Sequence, residues 1–298
     1  MVSEQDIPPR QAALAYASGS VTVLIWGLTP AATVFAVSEI DGVAVGMLRV
    51  ILAGLLVLPI AILMRLPRPD NARDWGLLML SAVTNMTGFS VFFSLSLMYT
   101  STLHVALIQA SIPIYAGLFS AAVNKRLPSS RWWLGVAIAF IGLVVLFVSR
   151  DASGREASLF GDFLCFLAAL CSGVGHVTGG RVSARIGTWG ASLWSIAFAG
   201  ITLIPFFWLV KDGTDWAAVS HQGWSAIAYL VVFSSTLSFL FWYRGIVLGG
   251  IARIVPLQFV QPIVTMGIGV WLFSEVMTPA LILATLAVMG GIFLTRRA

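Results

Sequence analysis

The sequence predicts an all-helical membrane protein, with ten transmembrane helices arranged as two inverted five-helix repeats. Three observations carry that expectation. Hydrophobic residues make up 59% of the 298 and charged residues only 10%, with a mean hydropathy of +0.96, whereas a soluble domain carries about 25% charge. The apolar residues fall into runs of about 20, the length that crosses a bilayer. The stretch His104 to Pro113, H-V-A-L-I-Q-A-S-I-P, also has a counterpart 149 positions later, where Arg253 to Pro262 reads R-I-V-P-L-Q-F-V-Q-P. That shift lays Gln109 on Gln258 and Pro113 on Pro262.

The first run, 12–37, follows acids at Glu4 and Asp6 where a signal peptide would be basic, and it is long for a signal core, so it reads as a retained helix. The second, 44–64, ends before Arg65 and Arg68, and the third, 75–98, is rich in Ser, Thr and Asn. The fourth, 101–123, holds Gln109 and Pro113, and the fifth is 132–148. The sixth, 160–181, is glycine-rich around His176, and the seventh is 189–210. The eighth, 222–244, has its hydroxyls at Ser234 to Ser238; the ninth, 248–274, holds Gln258 and Pro262, and the tenth is 278–295. Cys165 and Cys171 share the sixth run and read as small apolar filler.

Positive charge fixes the orientation. With the N-terminus in the cytoplasm, thirteen Lys and Arg residues fall in inner segments, and only Arg150, Arg155 and Lys211 fall outside. Both termini are therefore expected in the cytoplasm. The net charge of +5 is distributed between apolar runs rather than on one face, which argues against nucleic acid as a partner. At the 149-residue shift Trp75 also meets Trp224, Thr87 meets Thr236 and Gly142 meets Gly291. Residues 1–150 and 151–298 are thus expected to be the two repeats. Five helices in each half is an odd number, so the second half enters from the opposite side, as in many secondary transporters.

Polar groups in hydrocarbon face a bundle interior or a wet cavity. Asn85 and Ser234 occupy the same repeat register, and Ser234, Ser238 and Trp242 lie four residues apart on one helical face. The alternative is that these hydroxyls bond to carbonyls one turn back or to neighbouring helices. Pro113 and Pro262 each remove a helix hydrogen bond, which either exposes carbonyls beside Gln109 and Gln258 as a site or gate, or simply kinks the chain. Trp26 sits mid-helix, as a cavity wall or as packing. His176 reads as a hydrogen-bonded lining residue or a proton carrier. Arg49, in the outer third of its helix, is expected to snorkel or to pair with Glu39, Asp41, Asp162 or Glu275, as a clamp rather than a substrate contact. No metal-ligand cluster, phosphate loop or nucleophile motif is present, so no cofactor and no enzymatic chemistry is expected.

The residues resemble the drug/metabolite transporter superfamily in its ten-helix EamA-type branch. Trp26-Gly27 resembles that branch's first-helix W-G, Arg49 its second-helix Arg, and Ser96-Leu97-x-Tyr99-Thr100-Ser101 its A-L-x-Y-T-S before the fourth helix. Pro113, Pro262 and Gly161-Asp162 match further family positions across the whole chain. Two positions depart: Arg126 stands where the family often has an acid, which Glu275 supplies in the second half, and Ser172 stands where a second Trp is common. Within the branch the chain is similar to YddG-type amino-acid exporters. The resemblance implies a multi-pass protein of the bacterial inner membrane exporting neutral or aromatic amino acids by alternating access around a central cavity. Cationic drugs or a lipid-linked metabolite are the alternative cargo, and an intramembrane enzyme or scaffold the alternative class. The expected partners are the small-molecule substrate and the lipid bilayer, with the oligomeric state open.

Overall fold

The computed structural model describes residues 8–125, 127–148 and 158–296. Glu4, Asp6, Arg126, Arg150, Arg155, Arg297 and the expected repeat boundary at 150/151 lie outside the described residues. All regular structure among the described residues is helical. Seven helical segments are long and apolar enough to cross a membrane, and Leu257–Phe273 and Pro279–Thr295 are shorter apolar helices.

Helix α1 (Pro9–Val37) opens on Pro9, whose missing N–H is no loss in a first turn. Helix α2 (Gly42–Leu63) is capped by Asp41, whose carboxylate accepts from the amides of Val43 and Ala44 at 2.9 and 3.1 Å. The third apolar run is not one regular helix. It comprises α3 (Ala72–Ser81), a seven-residue π-helical segment Ala82–Gly88, and α4 (Phe89–Ser96). The fourth run breaks at Ser111 into α5 (Thr102–Ala110) and α6 (Ile112–Asn124). Pro113 explains the break, because it lacks an N–H and its ring excludes the carbonyl of Gln109 from the helix ladder. Helix α7 (Ser130–Val148) comes next.

Helix α8 (Leu159–Phe207) runs 49 residues, about 74 Å at the α-helical rise and more than twice the thickness of a bilayer core of about 30 Å. It turns at Gly187, where φ 77° and ψ 156° suit only a residue without a Cβ. The expected loop between the sixth and seventh runs is thus a single glycine hinge. Helix α9 (His221–Ala228) passes through a second π-helical segment, Tyr229–Leu237, into α10 (Ser238–Gly249). After Gly250 come α11 (Ile251–Ile254), a 3-10 stretch Val255–Phe259, α12 (Val260–Phe273) and α13 (Pro279–Arg296). Shifted by 149, Ala82–Gly88 falls inside Tyr229–Leu237, and the left-handed Lys125 (φ 51°) falls on Ser274 (φ 53°).

Small residues set the closest helix crossings. A Cβ on Gly54 of α2 would stand 2.8 Å from the Cα of Gly200 in α8, and one on Gly135 of α7 would stand 2.6 Å from the carbonyl oxygen of Gly291 in α13. The α7–α13 pair sits at the periphery, with Phe140 and Leu286 about two-thirds exposed, the condition of a lipid-facing surface. The bundle has two ends: α1 begins at the near end, with Pro9, and finishes at the far end, beside the starts of α2, α5 and α9.

Candidate substrate cavity

Between α1, α2, the two π-helical segments, α5, α8 and α12 lies a cavity of about 340 Å³. Its walls are mostly apolar, with Phe89, Phe93, Ile196 and Met289 among them, and polar groups enter at a few places. On α1, Pro30 cannot bond to the carbonyl of Trp26, and both residues line the cavity. The hydroxyls of Thr29 and Ser234 are 2.8 Å apart. Arg49, only 4% exposed, donates from Nη2 to Ser234 and Ser235 Oγ at 3.2 Å each and from Nε to Ser235 Oγ at 3.4 Å. Its Nη1 is buried with no hydrogen-bond partner.

On the opposite wall Gln109 donates to the carbonyl of Cys165 at 3.4 Å and contacts its Sγ at 3.2 Å, leaving Oε1 buried without a partner. Ser172 donates to Asn85 Oδ1 at 3.2 Å. Gly175 admits this approach, since any Cβ there would overlap the Cβ of Asn85. Asn85, Met86 and His176 also border a second space of about 370 Å³, lined further by Gly179, Ser183, Thr188 and Ser192 beside the Gly187 hinge. The cavity therefore has a neighbour toward the near end.

The far end is closed by polar contacts. Asp162 accepts from Thr100 Oγ1 at 2.6 Å and meets His104 Nδ1 at 3.0 Å, both residues fully or almost fully buried. Glu275, 2% exposed, accepts the backbone amides of Thr102 and Leu103 at 2.8 and 2.9 Å. At the surface Glu39 accepts from Ser220 N and Oγ at 2.6 and 2.7 Å, and the hydroxyl bond, with the backbone bond second, holds its carboxyl below its ordinary range.

The model of the EamA-like transporter family matches residues 13–148 and 159–297. The chain belongs to that family. It is 27% identical to the uncharacterized transporter YdeK of Bacillus subtilis over 94% of this chain and 96% of that protein. To an uncharacterized transporter of Synechocystis it is also 27% identical, over 80% of this chain and 76% of that one. A solved crystal structure of a protein with 18% identity covers 96% of this chain and 98% of that chain at a TM-score of 0.60, a likeness of fold. As an EamA-like protein the chain is a multi-pass membrane transporter and not an enzyme. Among the described residues no group of His, Cys, Asp and Glu could hold a metal ion.

Set in this EamA-like frame, Trp26, Asn85, Gln109, His176, Ser234, Gln258, Pro113 and Pro262 all border the cavity. Ser238 and Trp242 stand behind its wall. Ser238 is fully buried, accepts the Trp26 indole N–H at 3.0 Å and donates to the carbonyl of Ser234 at 2.5 Å, while Trp242 packs on Trp26 at a tilt of 48° with ring centroids 5.3 Å apart. The three residues do share one face, and it turns to α1: Ser234 meets Thr29, and Ser238 and Trp242 meet Trp26, which stands between them and the cavity.

Arg49 departs further from expectation. The four acids foreseen as partners are engaged elsewhere: Glu39 with Ser220, Asp41 at the start of α2, Asp162 with His104, and Glu275 at the start of α5. Neither Arg49 nor Glu275 belongs to an ion-pair clamp with the other. His176 lines both spaces, and among the described residues its ring has no hydrogen bond. Sequence reasoning missed Phe89 and Phe93 as lining residues and the His104–Asp162 pair. The pair's signal was present in a His and an Asp each opening an apolar run.

Proposed function

We propose that this protein exports small amphipathic metabolites, neutral and aromatic amino acids foremost, across a bacterial inner membrane by alternating access. On this reading the chain crosses ten times, with Gly187 as the turn between the sixth and seventh crossings and both termini in the cytoplasm. The two halves are inverted repeats, which the paired π-helical segments, the paired left-handed residues and the 149-residue register support. The observation that carries the reading is a mid-bundle cavity, in a transporter fold, to which both halves bring polar side chains against aromatic walls. The near-end space then provides cytoplasmic access while the far end is closed. A cationic-drug cargo fits less well, because no Asp or Glu is among the described lining residues.

The test is uptake of radiolabelled amino acids into proteoliposomes holding the purified protein. A subset should equilibrate faster than in empty liposomes, and Trp26→Ala and Gln109→Ala should each lower that rate by about tenfold with unchanged thermal midpoints. Undiminished transport in both variants would remove these residues from the path. If the folded protein moves no amino acid, the cargo assignment fails.

A further inference from the structure

Among the described residues Arg49 is the only Lys or Arg in the cavity wall. A guanidinium carries five donors and no acceptor, and in an apolar interior it is strongly disfavoured unless its charge is met. Here Ser234 and Ser235 meet three of the donor contacts through neutral hydroxyls, and Nη1 meets nothing. The buried acids that could neutralise Arg49 are each held by other groups: Asp162 by Thr100 and His104, Glu275 by two backbone amides, and Asp74 by Asn71 and Arg185. The hydroxyls position the guanidinium without neutralising it. Beside it the cavity offers Trp26, Phe89 and Phe93 as apolar surface.

The geometry points to Arg49 as the carboxylate-recognition residue of this cavity: the cargo carries a carboxylate that completes the Arg49 donor set, with its apolar body against the aromatic wall. This rests on the transport reading above and narrows it, admitting organic acids and zwitterions and rejecting bare amines. The unpartnered Gln109 Oε1 is an acceptor on the same cavity, which favours a zwitterion whose ammonium reaches it over a simple acid. A charge-assisted pair of this kind discriminates more strongly than a neutral hydrogen bond.

Three probes that share one phenyl body separate the possibilities: L-phenylalanine, 3-phenylpropionate, which lacks the ammonium, and phenethylamine, which lacks the carboxylate. Binding to the purified, folded protein is measured by thermal shift and by intrinsic tryptophan fluorescence. Phenylalanine and 3-phenylpropionate should bind at least about tenfold more tightly than phenethylamine. Arg49→Gln should remove that preference, and Arg49→Lys should keep part of it. The wild-type comparison needs no variant, so it stands even if Arg49→Gln does not fold. Equal binding of phenethylamine and 3-phenylpropionate, or an undiminished preference in a folded Arg49→Gln protein, overturns the inference and leaves the amino-acid reading intact. If the folded wild type binds none of the three, the inference and that reading fall together.

Discussion

The two ends of the bundle are built differently, and the starts of α5 and α11 show how. At the far end α5 begins with three of its first amides satisfied by side chains: His104 N by Ser101 Oγ at 3.2 Å, and Thr102 N and Leu103 N by the Glu275 carboxylate. That carboxylate meets the positive end of the helix dipole in a buried setting. In the 149-residue register Ser101 falls on Gly250 and Glu275 on Arg126. Gly250, at φ 80°, has no side chain to offer, and an Arg cannot accept a hydrogen bond. Beyond Gly250 the chain makes one turn of α-helix and a 3-10 stretch containing Pro256, where α5 has nine regular residues. One half of the chain thus has a fastened helix start, and at the matching positions of the sequence the other has a glycine and an arginine. The same contrast holds more widely. The far end buries Asp162 and Glu275 with their partners, whereas the near end holds a space of about 370 Å³ edged by glycine and serine.

Removing the far-end fastener should have the largest effect. Glu275→Gln keeps the shape but replaces one acceptor oxygen with a donor facing a backbone amide, so a buried N–H loses its partner. The expected destabilisation is about 2–3 kcal/mol, read as a drop of several degrees in the thermal midpoint of the purified protein. A midpoint within about 1 °C of wild type, against a shift of about 2–4 °C per kcal/mol expected at this size, would mean that α5 is held by its packing and not by its cap.

The near end offers the matched control. Asp74, 3% exposed, sits in the first turn of α3 and accepts from Asn71 Nδ2 at 2.8 Å and from Arg185 Nη1 at 2.7 Å, but Arg185 is 52% exposed. Water screens that pair, so Asp74→Asn should destabilise by only about 1 kcal/mol, and less at high salt. An effect as large as that of Glu275→Gln would erase the distinction between the ends.

Much of this architecture was legible in the sequence, because crossing a bilayer leaves a hydropathy record that local packing does not blur. The helix break at Ser111 is explained by Pro113, and the convergence of Asn85, Gln109, Ser234 and Gln258 on one cavity by the rarity of polar side chains in apolar runs. Features set by long-range contacts could not be read in this way. The periodicity puts Ser234, Ser238 and Trp242 on one face, but only the packed bundle reveals that this face meets α1, with Trp26 between its lower part and the cavity. The choice of partner for each acid was equally hidden. Glu275 reaches a backbone 172 and 173 positions away, and nothing local to Arg49 indicates that every candidate acid is already engaged.

The smallest effect is expected at the far-end surface, where Glu39 joins the loop after α1 to Ser220 ahead of α9. The Ser220 bonds favour the carboxylate, so the folded-state pKa lies below the ordinary value of 4.5. A group depressed in this way contributes stability that is present above its unfolded pKa and is lost as pH falls through the folded value. The wild-type midpoint should therefore decline as the solution is acidified below about pH 4.5, with a component that Glu39→Gln lacks. Because Glu39 lies at the surface, this component should be small and should shrink further with added salt. Parallel acid profiles for wild type and Glu39→Gln would show that the link between the loops is incidental. The contrast with the near end would then rest on the partners of the buried carboxylates, which are buried for Asp162 and Glu275 and half exposed, at Arg185, for Asp74.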